Sequence, residues 1–431
     1  MNATAEASPS SQPTNSYTDH APRISKENLF MVLALWMEQF PLKDDDNQEA
    51  DSYRKVGAVL VLPNDMLHAV DCSRDGVHGI ARLLTKNYDV TKDCKIYVSR
   101  KPCSFCTKLL VQCKIKRVFY LPIEPEYKDL KDFKEETSRV DELFKASPIG
   151  QSVFVPTVEG DVISNSERKR KTPEKKRDKK KKELKDLCYE DEWMKTVKDD
   201  LPWPAFDDNM KEQVFRDFDY IMKWMAGILI EEKEGYTFQR KESSANETPA
   251  PFDASFRSKE ASFLINMARF LAERSDDPKT GVGAVITNTE LEIIALGWNG
   301  FPTKALYGEF PRASRHEVEV ERKKYPFTIH AEQNALLLRN TKKLAKGILF
   351  VTKTPCDECT PLLAMERIKT VVLGEKMNEK VQSTGTLGYQ KFAVEVRKGT
   401  FICFEVHKAS SMGTSPPKKP KFDLQEETES T

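Results

Sequence analysis

No apolar run in this 431-residue chain approaches the roughly 18 residues that a membrane-spanning helix needs, so no membrane partner is expected. A surplus of one charge is lacking too, since 68 Lys and Arg stand against 67 Asp and Glu, a formal net charge of +1. That balance excludes a uniformly basic coat and makes nucleic acid a poor candidate partner. Met1 to Ala21 is rich in Ser, Thr and Pro and lacks the apolar core of a signal peptide, so a protein of the cell interior is expected. The nine cysteines are an odd number scattered along a long chain, which argues against a disulfide framework and for free thiols and metal ligands.

What is present is unevenly arranged. Glu167 to Lys185 holds twelve Lys and Arg against four Asp and Glu, so the remainder of the chain is net negative. With Pro173 inside it and no apolar periodicity, the segment 160–187 reads as a solvated basic linker. Residues 1–22 and 408–431 read as tails without core material. Between 188 and 255, Val214, Phe215, Phe218, Ile221, Met222, Met225 and Ile228 recur at three-to-four spacing, which predicts an amphipathic helix. Trp193, Trp203 and Trp224 would pack this helical connector onto a folded domain. The basic stretches Arg168 to Lys185 and Lys418 to Lys421 are candidates for nuclear import, with plain solubilising charge as the alternative. A cytoplasmic and nuclear location, with the import machinery as a partner, is the expectation.

The remaining segments, 23–159 and 256–407, are two copies of one pattern. Apolar-periodic segments open at Ser25-Lys26-Glu27 and at Ser258-Lys259-Glu260, each predicting a capped helix. Val56-Gly57-Ala58-Val59 matches Val282-Gly283-Ala284-Val285 in β-branched runs that predict strands. The densest match sets Ile96-Tyr97-Val98 through Pro102-Cys103 and Cys106 against Leu349-Phe350-Val351 through Pro355-Cys356 and Cys359. The copies differ in one length: Gly57 precedes His78 by 21 positions, whereas Gly283 precedes His330 by 47. The longer copy therefore carries an insert, with Trp298-Asn299-Gly300-Phe301-Pro302 and the cations Lys304, Arg312 and Arg315, expected as a loop over the site. The cations suit a nucleotide's phosphates or a solvated loop face equally, and His316 in the same insert reads as an ordinary surface histidine.

The chemistry lies in the second copy. His330-Ala331-Glu332 is followed, 26 positions after His330, by Pro355-Cys356-Asp357-Glu358-Cys359, an H-x-E and P-C-x-x-C pattern characteristic of zinc deaminases. Cys356 and Cys359 at i and i+3 would face one way on a helix, with Pro355 at its first position. A helix N-terminus favours the thiolates that zinc binds. With His330, three protein ligands leave the fourth tetrahedral position to water, as catalytic zinc requires. Zinc can lower the pKa of that water to about 7. Glu332, two residues from a ligand and not itself one, is placed to carry the proton.

Together with Ser275-Asp276-Asp277-Pro278 and the Asn299-Gly300-Phe301-Pro302 turn, these motifs resemble the deoxycytidylate deaminase branch of the cytidine deaminase-like superfamily, over most of the second copy. The tandem of two modules and a connector is similar to a tandem-module member of that family. The resemblance implies an α/β fold, two α/β/α modules each with a mixed five-stranded sheet flanked by helices. It implies zinc held at two helix N-termini and hydrolytic attack at C4 of cytosine with release of ammonia. It also implies a substrate contact at Asn299, which matches the turn residue that meets the sugar; Ala331 and, by its charge, Lys304 are further candidate substrate contacts.

The first copy departs from the pattern. His78, Cys103 and Cys106 keep the ligand spacing, but Ile80 stands where the glutamate should be. A second, non-catalytic zinc in a degenerate packing partner is expected there, the alternative being a polar histidine beside bare thiols. The expected function is deamination of a free cytosine nucleoside or nucleotide, a small-molecule substrate of undetermined phosphate count. A nucleic-acid cytosine or adenine deaminase is the alternative enzyme, and a pseudoenzyme scaffold the non-enzyme alternative. Two modules per chain leave faces for pairing, so a homo-oligomer is expected.

Overall fold

The computed structural model describes residues 23–41, 53–127, 133–154, 156, 158, 178–184, 207–231, 236–242, 250–277, 280–302, 319, 323–344, 346–380 and 387–408. Lys304, Arg312, Arg315, His316, Pro278, Trp193 and Trp203 lie outside the described residues, as do both tails apart from Lys408, which ends a strand.

The first module begins with α1 (Lys26–Met37), where Ser25 Oγ accepts from Asn28 N at 3.0 Å, the predicted cap. There follow β1 (Gly57–Val61), β2 (Leu67–Cys72), α2 (Gly79–Lys86), β3 (Lys95–Val98), α3 (Ser104–Gln112), β4 (Arg117–Tyr120), α4 (Phe133–Lys145) and β5 (Gly150–Val153). The strands form one mixed sheet in the order β2-β1-β3-β4-β5, antiparallel on either side of β1 and parallel from β3 onward.

The connector holds α5 (Asp208–Glu231), whose apolar face buries Val214, Phe218, Ile221, Met222, Met225 and Ile228 as the spacing predicts. Trp224 packs on Phe270, ring centroids 5.6 Å apart. The connector also gives a strand that the helical reading lacked, β6 (Tyr236–Arg240).

The second module runs α6 (Ser258–Ala272), β7 (Gly283–Thr287), β8 (Ile293–Trp298), α7 (Ala331–Leu337), β9 (Ile348–Val351), α8 (Cys359–Met365), β10 (Thr370–Leu373), α9 (Gln390–Arg397) and β11 (Ile402–Lys408). Ser258 is here the first helical residue; the cap position belongs to Arg257. The sheet order β8-β7-β9-β10-β11 repeats that of the first module, but β6 adds a sixth strand antiparallel to β11. The expected five-stranded sheet is corrected on this point, and the reason is physical: β11 would otherwise expose a row of unpaired backbone groups at an edge.

The repeat extends to backbone detail. The β1/β2 ladder shifts register between Leu60 and Val61, and the β7/β8 ladder does so at the matching step between Ile286 and Thr287. A Cβ on Gly57 would overlap the carbonyl oxygen of Ala34, and one on Gly283 that of Ala268, so each helix lies directly on its strand only because glycine stands there.

The modules share a core. Trp36 of α1 stacks on Phe263 of α6, centroids 4.8 Å apart and planes 9° apart, and its Nε1–H donates to Phe263 O at 3.2 Å. Phe40 meets Phe263 and Trp36 meets Phe270 edge-on. At the rim, Glu292 pairs with Lys86 at 2.7 Å and lies 3.5 Å from Arg82. Part of the segment read as wholly solvated linker is ordered, since residues 178–184 are helical and Leu184 is buried in the shared core. Its neighbours stay polar, with Lys181 paired to Asp219 at 3.1 Å. Among the described residues no helix is long and apolar enough to cross a membrane.

Candidate metal centres

In the second module the sequence separates His330 from its cysteines by a whole strand, and the sheet brings them together. His330 is the N-cap of α7, with its backbone N–H on Gln333 Oε1 at 2.9 Å. Helix α7 sits close on β8 because a Cβ on Gly297 would overlap the carbonyl oxygen of Ala331. Cys356 follows β9 in a turn, and Cys359 is the first residue of α8. Pro355 therefore precedes the helix by several residues and is not its first residue, as the motif had suggested. The turn is still helix-like, because Thr360 N donates to Cys356 O at 3.0 Å. Asp357 anchors it to α9 through its own N–H on Gly388 O and through Lys391 N on its Oδ1.

His330 Nδ1 lies 3.1 Å from Cys356 Sγ and 3.3 Å from Cys359 Sγ. These atoms all lie within 4.8 Å of one another, one nitrogen and two sulfurs converging as a tetrahedral zinc requires. A hydrogen bond from the Cys359 thiol, against the cost of burial, holds Cys356 down at about 4 and pushes Cys359 far up. Burial opposes the imidazolium of His330, but the Cys356 sulfur outweighs it and raises the ring to about 9. Glu332, 4% exposed in the first turn of α7, is pushed up to about 7 by burial and then by the Cys356 charge.

The expected substrate residues fare differently. Asn299 is buried and internally engaged: its Oδ1 accepts from Val282 N at 2.7 Å and its Nδ2 donates to Thr280 O at 2.9 Å. It thereby ties the turn to the start of β7. The Ala331 side chain is fully buried in the core, which leaves its backbone as the part able to face a ligand. Lys304 lies outside the described residues. The sequence reading missed Tyr389, which sits by the cluster and is pushed up to about 12 by burial and by the Cys356 and Glu375 charges. It also missed the buried Lys324–Asp277 ion pair beneath the Asn299 turn. Asp277 falls within a quoted motif, but no spacing links it to Lys324.

The first module assembles the matching triplet. His78 caps α2, Cys103 caps α3, and His78 Nδ1 lies 3.5 Å from Cys103 Sγ and 3.4 Å from Cys106 Sγ. Ile80 is fully buried in the core at the position of Glu332. A carboxylate absent from the sequence reading joins the cluster instead: Glu126 Oε1 lies 2.7 Å from His78 Nδ1. Only the missing glutamate at position 80 could have prompted a search for it.

A family model for the cytidine and deoxycytidylate deaminase zinc-binding region matches residues 33–122 and 258–375. A deoxycytidylate deaminase of Pongo abelii is 31% identical over 148 residues, covering 33% of this chain and 82% of that protein. The chain belongs to the cytidine and deoxycytidylate deaminase family. Another relative, the Danio rerio cytidine and dCMP deaminase domain-containing protein 1, is 29% identical over 457 residues, 88% of this chain and 91% of that one. The deaminase-family zinc region thus falls on both modules, and zinc is the metal to which both donor sets belong. Glu126 lies just beyond the first matched stretch.

Proposed function

We propose that the second module hydrolyses the C4 amino group of a free cytosine nucleotide, giving the uracil product and ammonia. The observation that carries this reading is Glu332, buried on the helix that His330 caps and beside the Cys356 and Cys359 sulfurs, a helix position that Ile80 fills in the first module. Bound zinc supplies a Lewis acid that lowers the pKa of water. The Glu332 carboxylate accepts one proton of the attacking water and delivers it to ring N3, then takes the remaining hydroxyl proton and passes it to the C4 amino group, which leaves as ammonia as the C4 carbonyl forms. Burial of Glu332 keeps bulk water from competing for that proton. The likeness to a deoxycytidylate deaminase supports a deoxynucleotide substrate, with the phosphate met by the cations of the insert. The basic stretches 168–185 and 418–421 are assigned to nuclear import in a protein shared between cytoplasm and nucleus.

The test is ammonia release from the full chain offered cytidine, deoxycytidine, their mono- and triphosphates, and cytosine-containing oligonucleotides. Turnover of one free nucleotide, reduced about 10²–10⁴-fold in Glu332→Ala with zinc content unchanged, is expected. Turnover of oligonucleotides alone would replace this reading with nucleic-acid editing, and none on any substrate would leave a scaffold.

A further inference from the structure

We propose that the first module holds a closed, four-ligand zinc site in which Glu126 is the fourth ligand, occupying the position that a catalytic site leaves to water. This goes beyond the activity of the second module and does not depend on its substrate.

The geometry is that of a coordination tetrahedron before the metal draws it together. Zinc bonds of about 2.3 Å to sulfur and 2.0–2.1 Å to nitrogen or oxygen place sulfur–nitrogen edges near 3.5 Å and nitrogen–oxygen edges near 3.3 Å. His78 Nδ1 stands 3.5 and 3.4 Å from the two thiols, and Cys106 Sγ stands 3.6 Å from Glu126 Oε1. The His78–Glu126 edge, at 2.7 Å, must widen, and the two remaining edges, both to Cys103 Sγ, lie within 4.8 Å. The same nitrogen faces both sulfurs and the carboxylate, so a metal bound to that nitrogen lies within reach of all four donors.

Glu126 is held for this task. Its Oε2 accepts from Cys103 N at 2.8 Å, and its own N–H donates to Lys101 O at 3.0 Å, which fixes Oε1 toward the cluster. The residue is 0% exposed, and a carboxylate so buried needs a positive partner. A direct bond to zinc meets that need at the carboxylate oxygen, although two thiolates already balance the ion's two charges; without the metal the facing group is His78 at 2.7 Å. The rings of Tyr53 and Phe105 flank His78 at 4.7 and 5.3 Å and crowd the approach to it. In the second module the donor group contains no carboxylate among the described residues, and the loop after β10 instead ties Asn378 N to Thr354 Oγ1. The first-module metal would pin α2, α3 and the segment after β4 to one point, a structural role.

The test uses the full chain with zinc replaced by cobalt(II), whose visible spectrum reports coordination, and azide as a probe of exchangeable positions. Two metals per chain are expected, with azide shifting the bands of one cobalt; in Glu126→Ala it shifts both, or the first-module metal is lost to a chelator at least about tenfold faster. The double variant Cys356→Ala/Cys359→Ala isolates the first site, and its spectrum is expected not to respond to azide. Azide response of both cobalts in the unsubstituted chain overturns the proposal. So does a single metal per chain that Cys103→Ala leaves in place, or an unchanged spectrum and metal retention in Glu126→Ala. Should the double variant not fold, the comparison of unsubstituted chain and Glu126→Ala still decides.

Discussion

The two modules place one histidine and two cysteines at the starts of the same two helices and then part company over a single carboxylate. In the second, Glu332 stands on the first turn of α7, buried and close to the sulfurs without joining the donor atoms. In the first, that helix position is Ile80, sunk in the core, and the carboxylate arrives from the far side, on the loop after β4, within 2.7 Å of His78. A frame that gathers metal ligands therefore does not by itself define an enzyme. In the two proposals above, what separates proton carrier from ligand is the element from which the carboxylate approaches.

The sharpest way to break this comparison is to move the carboxylate. Ile80→Glu placed in the Glu332→Ala chain is expected to recover none of the roughly 10²–10⁴-fold loss in turnover, since Glu126 already fills the cluster. Ammonia release in the double variant would show instead that a glutamate at the helix position suffices.

The next effect concerns the shared core. Phe263→Ala removes the ring sandwiched between Trp36 and Phe40 and should destabilise the chain by about 3–5 kcal/mol. Calorimetry should show one transition in the unsubstituted chain and two in the variant, as the modules uncouple. Two transitions in both would mean that the modules were never one cooperative unit.

The smallest effect is at the rim. Burial disfavours the Glu292 carboxylate, but the Lys86 hydrogen bond and charge outweigh it and hold its pKa below 4.5. A depressed carboxylate contributes stability above its ordinary range and loses it as pH falls through the folded value. Glu292→Gln should therefore lower stability by only about 0–1 kcal/mol near neutrality, because the side chain is 36% exposed. Melting curves against pH should converge below about 4.5, whereas a gap that widens in acid would reverse the sign.

Much of this was legible in the chain. The repeat, the strands around Gly57 and Gly283, and the apolar face of α5 follow from periodicity, which is a local property. The donors His330, Cys356 and Cys359 follow from spacing, because a strand–helix frame turns fixed separations into fixed distances. Other features were not legible. β6 pairs with β11 across more than 160 positions, and nothing in Tyr236 to Arg240 announces that pairing. The helical turn at 178–184 hides in a charge run because a single residue, Leu184, anchors it. The turn motif around Asn299 does not announce that its side chain ties to Val282 N and Thr280 O, 17 and 19 positions earlier.

The sequence by itself determined that there are two modules, which residue types could hold zinc in each, and that only one keeps a glutamate beside its histidine, because those facts are written in spacing along the chain. Only the tertiary structure decided that Glu126 meets His78 and that Trp36 and Phe263 weld the modules together. Both contacts join residues 48 and 227 positions apart, and at such separations it is the packing of strands and helices, and no local pattern, that sets which atoms touch.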